Sequence, residues 1–132
     1  MKVFPTRRFA INGLLTILSL VVVFHLLVMT GVVPYGIVWG GNLKEYSQML
    51  TFEAVSIVLN LVMLAVVAVY AGMLKVKVNP LLIRIAIWIM FALFLINTVG
   101  NIFSKNEMER IIFTPITLVL SIFCLRLATS QK

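Results

Sequence analysis

The most constraining feature of this chain is where its charges are missing. From Phe9 to Leu43 no Asp, Glu, Lys or Arg occurs across 35 residues. Further uncharged stretches cover Ala54–Leu74 (21 residues), Ile85–Ser104 (20) and Ile111–Leu125 (15). A helix needs about 20 mainly apolar residues to cross a hydrocarbon core. Three stretches meet that length outright, and the fourth does so if Arg110 and Arg126 snorkel to the interfaces. The expected fold is all-α: an integral membrane antiparallel four-helix bundle forming one domain over 1–132, with helices at about 9–33, 44–72, 80–103 and 107–128.

Composition removes the main alternatives. Charged residues make up 11% of the chain and hydrophobic ones 62%, whereas a soluble domain is about a quarter charged. So few charges cannot coat a water-soluble globule. Disorder is excluded as well, because disordered chains are poor in apolar residues. The net charge of +7 is no nucleic-acid footprint, since the basic residues are scattered over several edges with no binding module around them. They read as topology determinants and as contacts to anionic membrane lipids.

Those charges also sort by side. Lys2, Arg7, Arg8, Lys75, Lys77, Arg84, Arg126 and Lys132 fall at one end of the expected bundle, and Lys44, Lys105 and Arg110 at the other. The positive-inside rule then puts both termini in the cytoplasm, with the chain crossing the membrane several times. Glu45, Glu53, Glu107 and Glu109 all fall on the outer side. A cleaved signal peptide is not expected, because the first apolar stretch is too long and lacks a small-x-small site.

Local chemistry marks the boundaries. Pro34 ends helix 1 and opens a Gly-rich loop, Pro34-Tyr35-Gly36-Ile37-Val38-Trp39-Gly40-Gly41. Asn42 with Glu45, and Asn106 with Glu109, have the spacing of capping boxes. Asn79-Pro80 reads as an N-cap followed by proline at the first helical position, where a missing N–H costs nothing. Pro115 predicts a kink in helix 4, or a break with Thr114 capping the segment after it.

Polar residues inside the apolar stretches are costly, so their faces matter. At 100° per residue, about the α-helical step, Glu53, Ser56 and Asn60 share one face of helix 2. Helix 3 carries a stripe of Ala86, Met90, Leu93, Asn97, Asn101 and Ser104. Helix 4 carries Glu107, Arg110, Thr114, Thr117, Ser121, Cys124 and Ala128, and helix 1 carries Asn12, Thr16, Ser19, Val23, Leu26 and Thr30. Turning these stripes inward gives a bundle held by small residues and hydrogen bonds. Glu53, Asn60, Asn97, Asn101 and Thr114 would then line a polar pocket in the outer half, with Trp39 in the glycine-flanked loop above it. The plainer readings are interhelical hydrogen bonding for the asparagines, an interfacial helix-start carboxylate for Glu53 and an interface-belt aromatic for Trp39.

His25 fits this scheme least well. It lies about 140° from the Thr30 side of the helix 1 stripe, counted at the α-helical step. Either a second face of helix 1 enters the bundle, or His25 faces lipid or another subunit. Pairing with Glu53 would create an acid–base couple, but the two faces do not converge on the helical wheel. A single histidine cannot build a multi-histidine metal site, and no metal or other cofactor is expected. The single cysteine, Cys124, excludes an internal disulfide.

Taken together, Trp39-Gly40-Gly41, Phe52-Glu53, Asn60, Asn97-Thr98-Val99-Gly100-Asn101 and Glu109 resemble a group of small bacterial four-transmembrane-helix proteins of uncharacterised function. In that group a WGG loop precedes a glutamate early in helix 2, and an NTxGN-like element ends helix 3. The resemblance implies fold and topology and carries no activity. Three functions are open to such a chain: binding or transport of a small polar or amphipathic molecule in the outer pocket, by a monomer or homo-oligomer; a non-catalytic accessory subunit; and a membrane enzyme of lipid-isomerase type using Glu53 as acid or base.

Overall fold

The computed structural model describes residues 5–32, 46–104 and 107–130. Four helices follow one another: α1 (Arg7–Met29), α2 (Tyr46–Tyr70), α3 (Pro80–Ile102) and α4 (Thr114–Ala128), with a π-helical turn at Glu109–Phe113 leading into α4. They pack antiparallel, and each of the four is long and apolar enough to span a membrane, α4 together with its π turn. The chain is thus a multi-pass membrane protein in its architecture. Large apolar side chains point outward along every helix, among them Leu20, Val58, Ile96 and Ile111.

The helix ends have identifiable causes. Thr6 caps α1 by accepting a hydrogen bond from the Phe9 amide at 3.1 Å. Gly31, at φ 88°, closes the same helix earlier than Pro34 would, because a left-handed residue ends the helical path without Cβ strain. At the end of α2, Gly72 has φ 79°, and Met73 N–H reaches Ala68 C=O at 2.9 Å. That is a Schellman closure, which satisfies a carbonyl the helix leaves open. Asn79 caps α3 as its sequence spacing predicts, accepting from Leu81 N–H at 2.9 Å ahead of Pro80. The Asn42 and Asn106 caps lie outside the described residues.

Of the kink or break expected at Pro115, the break does not occur. The helix continues through it, and the backbone widens into a π turn just before it. Proline has no N–H and its ring crowds the preceding turn, so a wider turn relieves both problems without ending the helix. Thr114 forms no cap, and its buried hydroxyl has no hydrogen-bond partner among the described residues.

Register follows from contacts that link distant parts of the chain. His25 of α1 faces Glu53 of α2, while Arg7 at the other end of α1 donates to the Tyr70 hydroxyl at 3.1 Å. Phe9 and Phe24 of α1 meet Phe123 and Phe113 edge-on, with ring centroids 5.6 Å and 5.1 Å apart. Arg84 at the start of α3 donates to Ser130 C=O at 3.2 Å, and Arg126 donates to Pro5 C=O at 2.9 Å. Each pair couples the start of one helix to the end of its neighbour, as antiparallel packing requires. The α1–α2 and α3–α4 pairs pack most extensively, α1–α4 and α2–α3 less so.

The interior is layered along the bundle axis. An apolar core of Ala10, Leu14, Leu18, Val67, Ile87, Phe94, Leu120 and Phe123 occupies the half near the chain termini. A small second cluster, Val28 and Met49 with Phe24, Leu50 and Phe113, sits near the other end. In the half carrying that cluster the buried side chains turn polar: Glu53, Ser56, Asn60, Thr98, Ser104 and Glu109.

Helix 1 presents the opposite face from the one its polar stripe suggested. Ala10, Leu14, Leu18 and Val28 are buried, whereas Asn12, Thr16, Ser19, Val23, Leu26 and Thr30 are all exposed. Helix 3 is rotated by about one residue from the expected stripe. Ile87, Met90, Phe94 and Thr98 face inward, and Leu93 and Asn97 face out. The physical reason is that lipid is as apolar as a protein core, so polarity does not sort faces in a membrane as it does in water. Tight packing against neighbours decides instead. Gly13 shows it: its missing side chain leaves the space filled by the Phe123 ring, drawing α1 and α4 together.

Candidate functional site

Turning α1 to its apolar face brings His25 inward. Its Nδ1 lies 3.0 Å from Glu53 Oε1 and 3.1 Å from Oε2. Glu53 is completely buried, and the His25 side chain keeps 15% exposure. The expectation that these two faces do not converge is therefore overturned. It holds only if the Asn12–Thr30 stripe faces the bundle, and His25 stands almost opposite that stripe.

Both helices prepare the pair. Glu53 is one turn below Met49 on α2 and His25 one turn below Val28 on α1; Met49 and Val28 are both buried in the small apolar cluster. Phe24, next to His25, stacks edge-on against Phe113 of the π turn. The couple is thus shielded by apolar side chains on its loop side. Near-equal distances to the two carboxyl oxygens suit one Nδ1–H shared between them. If the proton instead sits on the carboxyl group, the same approach lets that group donate to Nδ1. A proton can then pass between the partners with little movement of heavy atoms. Such a couple can also exchange its internal hydrogen bond for one to a bound polar group.

The remaining α2 residues line the same face. Ser56 and Asn60 are buried, and Asn60 Nδ2 donates at 2.7 Å to Ser56 C=O on its own helix. That bond runs along α2, whereas interhelical hydrogen bonding by Asn60 would cross to a neighbour.

Between α3 and α4 lies a hydroxyl–amide junction. Thr98 Oγ1 donates to Thr117 Oγ1 at 2.9 Å, and Asn101 Nδ2 donates to the same oxygen at 3.3 Å. Thr117 donates onward to Phe113 C=O at 2.9 Å. Thr98 Oγ1 also lies 2.8 Å from Phe94 C=O on its own helix, so its single proton serves either that carbonyl or Thr117. One turn above Thr117, the Thr114 hydroxyl is buried with no partner among the described residues.

The residues singled out from sequence therefore separate. His25 and Glu53 are joined, Asn60 is buried on the same face as Glu53, and Asn101 belongs to the α3–α4 junction. Thr114 is inside and unpartnered. Asn97 is exposed among the described residues, a consequence of the α3 rotation. Trp39 and its loop lie outside the described residues. Two buried groups fall outside the candidates that the sequence suggests. Thr98 sits one residue from the chosen stripe, and the alternative face Ile87, Met90, Phe94 and Thr98 has equally good helical spacing. Glu109 has the spacing of a surface cap, yet it is only 6% exposed. Among the described residues no group of three or more His, Cys, Asp or Glu comes together to hold a metal ion.

No family model, no curated protein and no solved structure matches this chain.

Proposed function

We propose that this multi-pass membrane protein binds, and in that capacity carries or presents, a small polar or amphipathic molecule at the His25–Glu53 end of its bundle. The observation that carries the reading is the fully buried Glu53 carboxyl group hydrogen-bonded to His25 on a neighbouring helix. Ionisable groups inside a membrane span are costly to retain, and they concentrate at substrate and proton pathways. The unpartnered Thr114 hydroxyl supplies a further polar contact near that end. The excess of basic residues at the termini supports an orientation with both termini in the cytoplasm and the pair in the outer half of a bacterial inner membrane. Membrane lipids are then the nearest source of an amphipathic ligand.

The test uses the full chain in lipid nanodiscs. Small amines, zwitterions and single-chain amphiphiles are screened for thermal stabilisation, and hits are repeated with Glu53→Gln. Stabilisation by a subset of probes that Glu53→Gln abolishes supports the reading. A folded Glu53→Gln variant that responds to every probe as the original does would overturn it. A non-catalytic accessory role is the second reading, and the Thr98–Thr117–Asn101 junction favours it, because its hydrogen bonds tie α3 to α4.

A further inference from the structure

The end of the bundle that bears the termini carries positive charge with no described carboxylate beside it. Arg7, Arg8, Lys75, Lys77, Arg84 and Arg126 all lie there. The described acids are at the other end: Glu53 precedes Tyr70 on α2 by 17 residues, and Glu109 precedes Arg126 by 17. At about 1.5 Å per helical residue that is roughly 25 Å, about three Debye lengths at physiological salt. No described acid therefore balances these charges.

Arg7 and Arg126 are the two basic residues of this end that are half-buried, and neutral groups hold both. Arg7 Nε donates to the Tyr70 hydroxyl at 3.1 Å, and Arg126 Nε donates to Pro5 C=O at 2.9 Å. Neither arginine forms an ion pair among the described residues. Each bond uses one of the five N–H groups of a guanidinium and leaves both terminal Nη groups. Contacts also bring the two arginines to one place. Arg126 holds Pro5, two residues before Arg7, and the Tyr70 hydroxyl that Arg7 engages donates at 3.4 Å to Leu127 C=O, next to Arg126. They flank the first turn of α1, which carries no acid, although negative charge is what a helix start favours. Depth fits as well. The α1 span begins at Arg7 and has 23 residues, roughly 35 Å against a hydrocarbon core of about 30 Å. Arg126 stands in the last turn of α4. Both guanidinium groups are thus at the level of lipid phosphates.

We infer that Arg7 and Arg126 clamp the phosphate of a net-anionic membrane lipid against the first turn of α1. A guanidinium presents two parallel N–H groups to phosphate oxygens, and the phosphate brings the counter-charge that no described acid supplies. A zwitterionic headgroup fits less well, because its ammonium meets further cations and no carboxylate. Phe9 and Leu125, exposed within two residues of the arginines, offer apolar surface to the acyl chains. This site is at the opposite end from the His25–Glu53 pair and is independent of any ligand there.

The test uses the full chain in neutral detergent, with bound lipid counted by native mass spectrometry. Phosphatidylglycerol, phosphatidylcholine and inorganic phosphate are titrated separately. Phosphatidylglycerol should form a saturable adduct about tenfold tighter than phosphatidylcholine, as a hydrogen-bonded ion pair requires. Arg7→Gln and Arg126→Gln should each weaken that adduct about tenfold. Lys75→Gln with Lys77→Gln removes two exposed charges between α2 and α3, and should change it by about twofold or less. Both arginine variants also lose an anchoring bond, so Arg126→Lys is added: it keeps the charge without the fork and should recover only part of the affinity. Equal affinity for phosphatidylcholine overturns the inference, and so does a lysine pair as damaging as either arginine. Inorganic phosphate binding as tightly as the lipid overturns it too, since the arginines would then serve a soluble anion.

Discussion

His25 Nδ1 sits 3.0 Å and 3.1 Å from the two carboxyl oxygens of Glu53, which is wholly buried. The two residues are 28 positions apart on different helices, so this pair joins α1 to α2 at the level where the interior changes from apolar to polar. Removing either member takes from the other a hydrogen-bond partner inside the bundle. His25→Leu and Glu53→Leu should each destabilise the protein by about 1–3 kcal/mol, the range for a buried polar group that loses a partner. The double variant should lose clearly less than the two singles together, because both singles lose the same bond. Thermal unfolding in detergent of the four proteins forms a double-mutant cycle, and strict additivity would show that the two side chains do not interact.

Adjacent residues on α3 should behave oppositely. Thr98 is buried and bonded to Thr117, whereas Asn97 is exposed. Thr98→Val should cost about 0.6–2 kcal/mol, the range for an interhelical bond in a membrane bundle. Asn97→Leu should leave unfolding unchanged or raise its midpoint, since it replaces a lipid-facing amide with an apolar side chain. If Asn97→Leu proved the more damaging of the two, the helix would be rotated from the orientation described.

Two glycines offer a matched pair for chemical denaturation. A methyl group at Gly13 would meet the Phe123 ring, and one at Gly100 would meet nothing. Gly13→Ala should destabilise by about 1–3 kcal/mol through overpacking, and Phe123→Leu should relieve part of that loss. Gly100→Ala should be neutral or stabilising by up to about 1 kcal/mol, because alanine is the better helix former.

At the end bearing the termini, Tyr70 connects three segments. Its hydroxyl accepts from Arg7 at 3.1 Å and donates to Leu127 C=O at 3.4 Å, and the Arg7 guanidinium lies 5.0 Å from its ring centroid. Tyr70→Phe keeps the ring and loses the hydroxyl, so it should cost about 0.5–1.5 kcal/mol. Tyr70→Leu also removes the cation–π contact and should cost more. Equal midpoints for the two variants would assign no weight to the ring.

The lone thiol provides a readout of the folded state. Cys124 is buried in the core of α4. A polar maleimide should label it slowly in the native bundle and rapidly after denaturation in dodecyl sulfate. Fast labelling of the native protein would show that the α1–α4 packing opens readily.

Much of this protein was legible in its sequence, for a simple reason. A membrane admits only helices or closed barrels, so four long uncharged stretches already determine four spans, and Asn79-Pro80 marks the start of α3 from local backbone chemistry alone. The polar face of α2 was readable too, because Glu53, Ser56 and Asn60 cannot all be left in lipid. Rotation of the other helices was not. On α1 the apolar seam Ala10, Leu14, Leu18 and Val28 and the polar seam Asn12 to Thr30 are equally periodic. Hydrophobicity does not choose between them where lipid and core have the same polarity. The choice came from shape, through the Gly13–Phe123 contact and the aromatic edges of Phe9 and Phe24. That choice carried His25 to Glu53, turned Asn97 outward and Thr98 inward. The missing charges determined how many times the chain crosses; tertiary packing alone decided which polar groups meet.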